Sequence, residues 1–249
     1  MIRVIQDGPV AEVWLARPEK RNALTPEMLA SLCTAVAQVG AGNASAILLA
    51  GEGAAFCAGF DLSLCKDHPD GSVMRALLSG LADAIAALRE QHRPVVIAAH
   101  GAAIAGGCAL LGAGDFVVTN DEAKLGYPVV RLGVSPAVSA PGLRLRVGSG
   151  GGAAARELLL NPRLISGLRA TELGLANQSV PLAQDVIGVA RDAARSLAEK
   201  PAGAIAATRA LLAQLDMLGD SPWRALRASL ALTGGDEERR MLPAAWRTP

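Results

Sequence analysis

Two short glycine-containing segments are where this chain's residues could do chemistry: Cys57-Ala58-Gly59-Phe60-Asp61-Leu62 and Ala105-Gly106-Gly107-Cys108. A carbonyl that is attacked or enolised gathers negative charge on its oxygen, and converging N–H donors stabilise that charge. Removing one such donor costs roughly 2.7–4 kcal/mol of transition-state stabilisation. Main-chain N–H groups suit the task where glycine lets a ligand approach closely and where a helix begins. Each segment follows a short apolar run, Ala46-Ile47-Leu48-Leu49-Ala50 or Val95-Val96-Ile97-Ala98-Ala99. Such runs suit strands buried on both faces of a parallel sheet, and loops after successive parallel strands leave from one edge, where ligands bind. Either loop alone is explained by a tight turn or close packing. Two after adjacent strands point to a shared site.

The elements that must position these loops are legible along the chain. Arg3-Val4-Ile5-Gln6, the turn pair Asp7-Gly8, and Val10-Ala11-Glu12-Val13-Trp14-Leu15 predict a hairpin. Thr25-Pro26-Glu27 supplies an N-cap, a first-turn proline and an acid, and Leu29, Leu32, Val36 and Val39 then share one helix face before Gly40 and Gly42. A helix over 73–89 carries Leu77, Leu81, Ile85 and Leu88 on one stripe, and Phe116-Val117-Val118-Thr119 is a third buried strand. Strand, helix, strand, loop, helix, strand is the pattern of right-handed crossovers. Helical periodicity then prevails over 153–160, 170–175, 182–199 and 202–217. The expected fold is one α/β core over 1–190 with a helical C-terminal region over 191–249.

Composition excludes several classes. In 249 residues, 24 Lys plus Arg stand against 23 Asp plus Glu, a net charge of +1 with no basic footprint for nucleic acid. The N-terminus lacks a signal-peptide layout and no apolar run is long enough to span a membrane. Cys33, Cys57, Cys65 and Cys108 form no CxxC pair and no metal-like spacing with the three histidines, so no metal is expected. Free thiols in a reducing cytoplasm are the expectation.

Beyond these readings, the chain resembles a family. Arg17-Pro18-Glu19-Lys20-Arg21-Asn22-Ala23-Leu24-Thr25 is similar to the N-terminal signature of the crotonase superfamily, the enoyl-CoA hydratase/isomerase proteins. Phe56 to Leu62 resembles its first oxyanion loop, Ile104 to Leu110 its second, and Leu125-Gly126-Tyr127-Pro128 with Arg131-Leu132-Gly133 and Pro136 its following active-site segment. Glu157-Leu158-Leu159-Leu160 and Gly174-Leu175-Ala176-Asn177 follow its helical region. The resemblance implies a crotonase-like spiral of ββα units with a helical trimerisation region, assembled as a homotrimer or a hexamer of paired trimers. It also implies that the N–H groups of Phe60 and Gly106 form an oxyanion hole for an acyl-CoA thioester, with no further cofactor. Glu19, Lys20, Arg21 and Ala58 would lie against CoA, with Asp61 in the same loop.

The same resemblance exposes a departure. The two glutamates of family hydratases fall at Ala109 and Val129 here, and neither side chain can move a proton. Tyr127, the chain's only tyrosine, is a substitute to weigh against simple packing. Ser135 and Ser139 stand where other members carry acids, and neither is a base without a partner. His68 with Asp67 suits a solvated loop, His92 a helix end, and His100 has no acid/base role in the family. Two functions stay open: an enolate-stabilising enzyme of the hydratase/isomerase type with nonstandard proton transfer, and a catalytically silent acyl-CoA binder. A third, a nicotinamide enzyme, rests on Gly148-Ser149-Gly150-Gly151-Gly152-Ala153, which fits GxGxxA if 143–147 is a strand. Arg144 and Arg146 argue against that strand. The family often closes over CoA with a basic aromatic helix, and because Gly234-Gly235-Asp236-Glu237-Glu238-Arg239-Arg240 leads directly to Pro243, a shortened form of that helix is expected here.

Overall fold

The computed structural model describes residues 1–148, 152–217, 226, 227, 230, 233–236 and 239. Strands β1 (Ile2–Asp7) and β2 (Val10–Leu15) form the expected antiparallel hairpin, turned at Gly8 with φ +57°. Strand β2 then pairs in parallel with β3 (Ala46–Gly51), which is followed across the sheet by β4 (Val95–Ala99), β6 (Phe116–Asn120) and β8 (Gln178–Val180). The order β1-β2-β3-β4-β6-β8 leaves out β5 (Ala102–Ile104) and β7 (Lys124–Gly126), which pair with each other. Single bridges extend this second layer, Leu24 to Phe60, Cys57 to Ala103 and Leu125 to Ile165. Each turn of the spiral thus lays one strand in the large sheet and one short extended piece in the small layer.

The apolar runs of β3 and β4 are explained by two cores, one on each face. Ile47, Leu49, Val95 and Ile97 face the larger core, with helices α1 (Pro26–Ala41) and α2 (Ser72–Arg89) packed there. Ala46, Leu48, Ala50, Val96 and Ala98 face the opposite core, covered by Val186, Ala190 and Ala194 of helix α7 (Val186–Ala198). Alternation along a strand gives the two sets their opposite directions. Helix α7 therefore belongs to the sheet's packing, and residue 190 lies within it.

Helix starts follow the local chemistry. Thr25 Oγ1 accepts the Met28 N–H at 3.1 Å, and Leu29, Leu32, Val36 and Val39 are buried as their spacing requires. Further helices among the described residues are α3 (Gly106–Leu111), α4 (Ala140–Val147), α5 (Gly152–Leu160), α6 (Gly167–Glu172) and α8 (Ala202–Met217). Helix α4 leads into the glycine run that begins at Gly148. Residues 143–147 are helical, with Arg146 Nε donating to the Leu175 carbonyl at 2.8 Å, so the glycine run after them is not preceded by the strand a dinucleotide fingerprint requires. Residues 149–151 of that run, and the tail after 239, lie outside the described residues.

Candidate functional site

The N-terminal signature is built around a buried asparagine. Arg21 and Asn22 both adopt left-handed backbone, φ +50° and +55°, which turns the chain back on itself after the short helical turn Pro18–Lys20. Asn22 is fully buried. Its Nδ2 donates to the carbonyls of Glu52 (2.9 Å) and Ala55 (2.8 Å), and its Oδ1 accepts the Arg17 N–H at 2.9 Å. This one side chain ties the signature to the loop after β3. Glu19, Lys20 and Arg21 remain exposed, and the Ala58 N–H donates to the Arg21 carbonyl at 3.0 Å, so these four candidates form one continuous surface.

The first glycine loop is held by a parallel bridge. Leu24 N–H donates to the Gly59 carbonyl (2.7 Å) and Asp61 N–H to the Leu24 carbonyl (2.9 Å). In such a bridge the amide of the intervening residue, Phe60, is directed away from the pairing strand. Gly59 supplies φ +96°, a conformation that a residue with Cβ rarely adopts, and a Cβ there would come within 3.0 Å of the Ile104 carbonyl oxygen.

The second loop is held by strained backbone. Ala105 has φ +50° and ψ −111°, anchored by donation of its N–H to the Gly126 carbonyl at 2.8 Å. Gly106 follows as the first residue of α3, where an amide has no intrahelical acceptor. Among the described residues no hydrogen bond satisfies the Phe60 or the Gly106 N–H. The two residues are neighbours: a Cβ on Gly106 would lie 3.0 Å from Cε1 of Phe60.

Phe60 and Gly106 line the same cavity, of about 140 Å³, together with Ala58, Ile104 and Ala105. Its other walls are Met74, Leu78 and Leu81 of α2 and the two short helical turns Pro128–Leu132 and Pro136–Ser139. Val129 lines it; Ala109, buried on α3, and Tyr127 do not. Ser135 and Ser139 are the polar side chains in the wall, and no Asp, Glu, His, Lys or Arg among the described residues joins them.

The remaining candidates fall elsewhere. Tyr127 is fully buried and its hydroxyl donates to the Cys108 carbonyl at 3.2 Å; burial first, then the Cys108 neighbour, push its pKa well up. Asp61 stays outside the cavity wall, with Oδ1 accepting from Ser63 and Oδ2 paired to Arg17 Nη2 at 2.7 Å. Burial raises its pKa, and the hydrogen bonds from Ser63 and Arg17 with the Arg17 charge outweigh that and lower it overall. His100 is buried with Nε2 at 2.9 Å from the Gly53 carbonyl oxygen, also away from the cavity. Asn22 and Arg17, the residues that fix the loops, carried no functional signal in sequence beyond membership of the signature.

Two layers of strands wound as a spiral, with an apolar cavity between loops following adjacent strands, define a protein of the crotonase fold. The comparisons agree. A profile of the enoyl-CoA hydratase/isomerase family matches residues 6–231, and the chain belongs to that family. An enoyl-CoA hydratase homologue of Thermus thermophilus is 37% identical over 205 residues, covering 80% of this chain and 76% of its own. The homologue echA6 of Mycobacterium tuberculosis is 33% identical over 186 residues, 74% of this chain and 72% of its own. Among solved structures, an enoyl-CoA hydratase/isomerase from Mycobacterium paratuberculosis superposes with a TM-score of 0.86 at 26% identity, covering 98% of this chain and 97% of that one. Pseudomonas aeruginosa OdaA superposes with a TM-score of 0.84 at 26% identity and 99% of each chain. Among the described residues no helix is long and apolar enough to cross a membrane, and no group of metal-ligating side chains assembles.

Proposed function

We propose that this chain binds an acyl-CoA thioester, with the thioester oxygen accepting hydrogen bonds from the Phe60 and Gly106 N–H groups, and that these donors stabilise the enolate of the acyl group. One observation carries the reading: two amides with no acceptor among the described residues belong to the wall of a single apolar cavity. Oxyanion donors in a water-poor site act more strongly than in water, because the local dielectric is low. Glu19, Lys20, Arg21 and Ala58 are proposed to meet the CoA moiety at the surface beside it.

Proton transfer in this reading is not the work of paired carboxylates. Position 109 is alanine and position 129 valine, and no titratable side chain among the described residues lines the cavity. That observation also favours a second reading, an acyl-CoA binder with no turnover. The trimeric or hexameric assembly and the cytoplasmic location expected from sequence are proposals of the same standing; exposed Leu211, Leu212 and Leu215 on α8 support an association surface.

The test has two arms. Isotope-labelled protein titrated with butyryl-CoA should show the Phe60 and Gly106 amide protons among those most displaced, and displacement elsewhere with both unmoved removes the reading. Turnover of crotonyl-CoA and a 3-enoyl-CoA, measured beside calorimetric binding, separates enzyme from silent binder. In a companion arm, Ala109→Glu with Val129→Glu is expected to gain hydration of crotonyl-CoA. A folded, ligand-binding double variant without it shows that more than two carboxylates is missing.

A further inference from the structure

The cavity's size and lining limit what the acyl group can be. Its volume of about 140 Å³ is close to that of engineered apolar cavities of roughly 150 Å³ that hold benzene, so about six carbons fill it. Met74, Leu78 and Leu81 recur along one face of α2 and are almost fully buried, so this wall is fixed by core packing. Val134, Ser135 and Pro136 form a second wall, whose far side borders an open apolar groove with Val130, Leu159 and Leu160. The groove is larger, about 510 Å³, but those three residues stand between it and the cavity.

Charge excludes a further set of ligands. No cationic side chain among the described residues lines the cavity, and a carboxylate taken from water without a partner is strongly disfavoured. We infer that the acyl group accepted here is neutral, apolar and short, of about six carbons with the carbonyl carbon included, and that α2 and residues 134–136 are the stops that set its length. This inference rests on the assignment of the cavity to an acyl-CoA thioester.

The experiment is calorimetric titration of the full chain with saturated acyl-CoA thioesters from acetyl to palmitoyl, together with glutaryl-CoA. Affinity should rise about fourfold per methylene up to hexanoyl-CoA, the gain expected for each buried CH₂, and fall at least about tenfold by palmitoyl-CoA. Glutaryl-CoA should bind about a hundredfold more weakly than pentanoyl-CoA, its neutral counterpart in length. Leu78→Ala, which removes about three carbons from the wall, should move the optimum to longer chains. Val138→Ala should do so by less and serves if the first variant does not fold.

Palmitoyl-CoA binding as tightly as hexanoyl-CoA would overturn the length limit and mean that the tail passes residues 134–136 into the groove. Glutaryl-CoA matching pentanoyl-CoA would overturn the exclusion of charge. If CoA thioesters of every length failed to bind, the assignment of the cavity would fall with it, an outcome distinct from the other two.

Discussion

Arg17 and Asp61 meet as an ion pair, Nη2 to Oδ2 at 2.7 Å, with little of either side chain exposed. The pair joins the N-terminal signature to the first glycine loop, and Arg17 Nη1 also donates to the Ala23 carbonyl at 3.0 Å. The Phe60 amide is thereby aimed from both sides, by Leu24 pairing on one flank and by the Asp61 anchor on the other.

The lowered Asp61 pKa makes part of the stability acid-sensitive. A carboxylate whose folded pKa lies below its unfolded value of about 3.9 stabilises fully above that value, and the contribution disappears as pH falls through the folded pKa. Asp61→Asn should therefore be less stable than the parent by a constant margin from about pH 5 to pH 8, and the margin should shrink below about pH 4. Urea denaturation across that range checks it; a margin unchanged at pH 3 would mean the carboxylate's charge contributes nothing.

Asn22→Ala removes the donors to the buried Ala55 carbonyl and the half-buried Glu52 carbonyl, and the acceptor of the half-buried Arg17 N–H. Buried groups left without partners lose about 1–3 kcal/mol each, so a loss of about 3 kcal/mol or more is expected after partial rehydration. The left-handed backbone at this position adds about 1 kcal/mol when a Cβ lacks asparagine's local hydrogen bonding. Thermal unfolding should show a drop of several degrees.

Adjacent glycines should respond differently. A Cβ at Gly107 would sit 2.5 Å from the Cys57 carbonyl oxygen and 2.7 Å from Cys57 Cβ, groups that cannot retreat. At Gly106 it would meet the ends of Phe60 and Leu24 side chains at 3.0 and 3.2 Å. Gly107→Ala is expected to lose about 1–3 kcal/mol of stability or more, whereas Gly106→Ala folds and binds butyryl-CoA at least about tenfold more weakly. Circular dichroism melts beside calorimetry distinguish the pair of outcomes.

Burial pushes the Cys57 and Cys108 thiols up to about 12, leaving little thiolate at neutral pH. Cys65 is buried as well, while Cys33 is partly exposed. Iodoacetamide at pH 8 should alkylate Cys33 alone in the native protein and all four cysteines in denaturant, read by intact mass. Rapid native labelling of Cys57 would show that the first glycine loop opens.

Much of this architecture is written locally. Continuous apolar runs at 46–50 and 95–99 announced strands covered on both faces, and the two cores around Ile47 and Leu48 are the reason. Thr25-Pro26 announced the start of α1, and the spacing of Leu77, Leu81, Ile85 and Leu88 announced the buried face of α2. The small second layer left almost no trace. Its bridges at Phe60 and Cys57 involve one residue each, and a single pairing has no period to detect. The helix around Leu143 gave no clear signal either, because eight residues containing two arginines have too little amphipathic contrast to declare one.

By itself, then, the chain determined where the strands of its large sheet up to β6 and the helices α1 and α2 lie, that glycine-containing segments form the loops after β3 and β4, and that alanine and valine stand at 109 and 129. Periodicity states which side of an element is buried, and backbone chemistry states where it starts. Neither states what lies across the gap. Only the tertiary structure decided that Asn22 joins two loops, that Tyr127 donates to a main-chain carbonyl instead of entering the cavity, and that residues from 128–139 close one wall of a cavity into which no charged side chain among the described residues reaches. Those outcomes depend on contacts between distant parts of the chain, whose energies arise only once the spiral has brought them together.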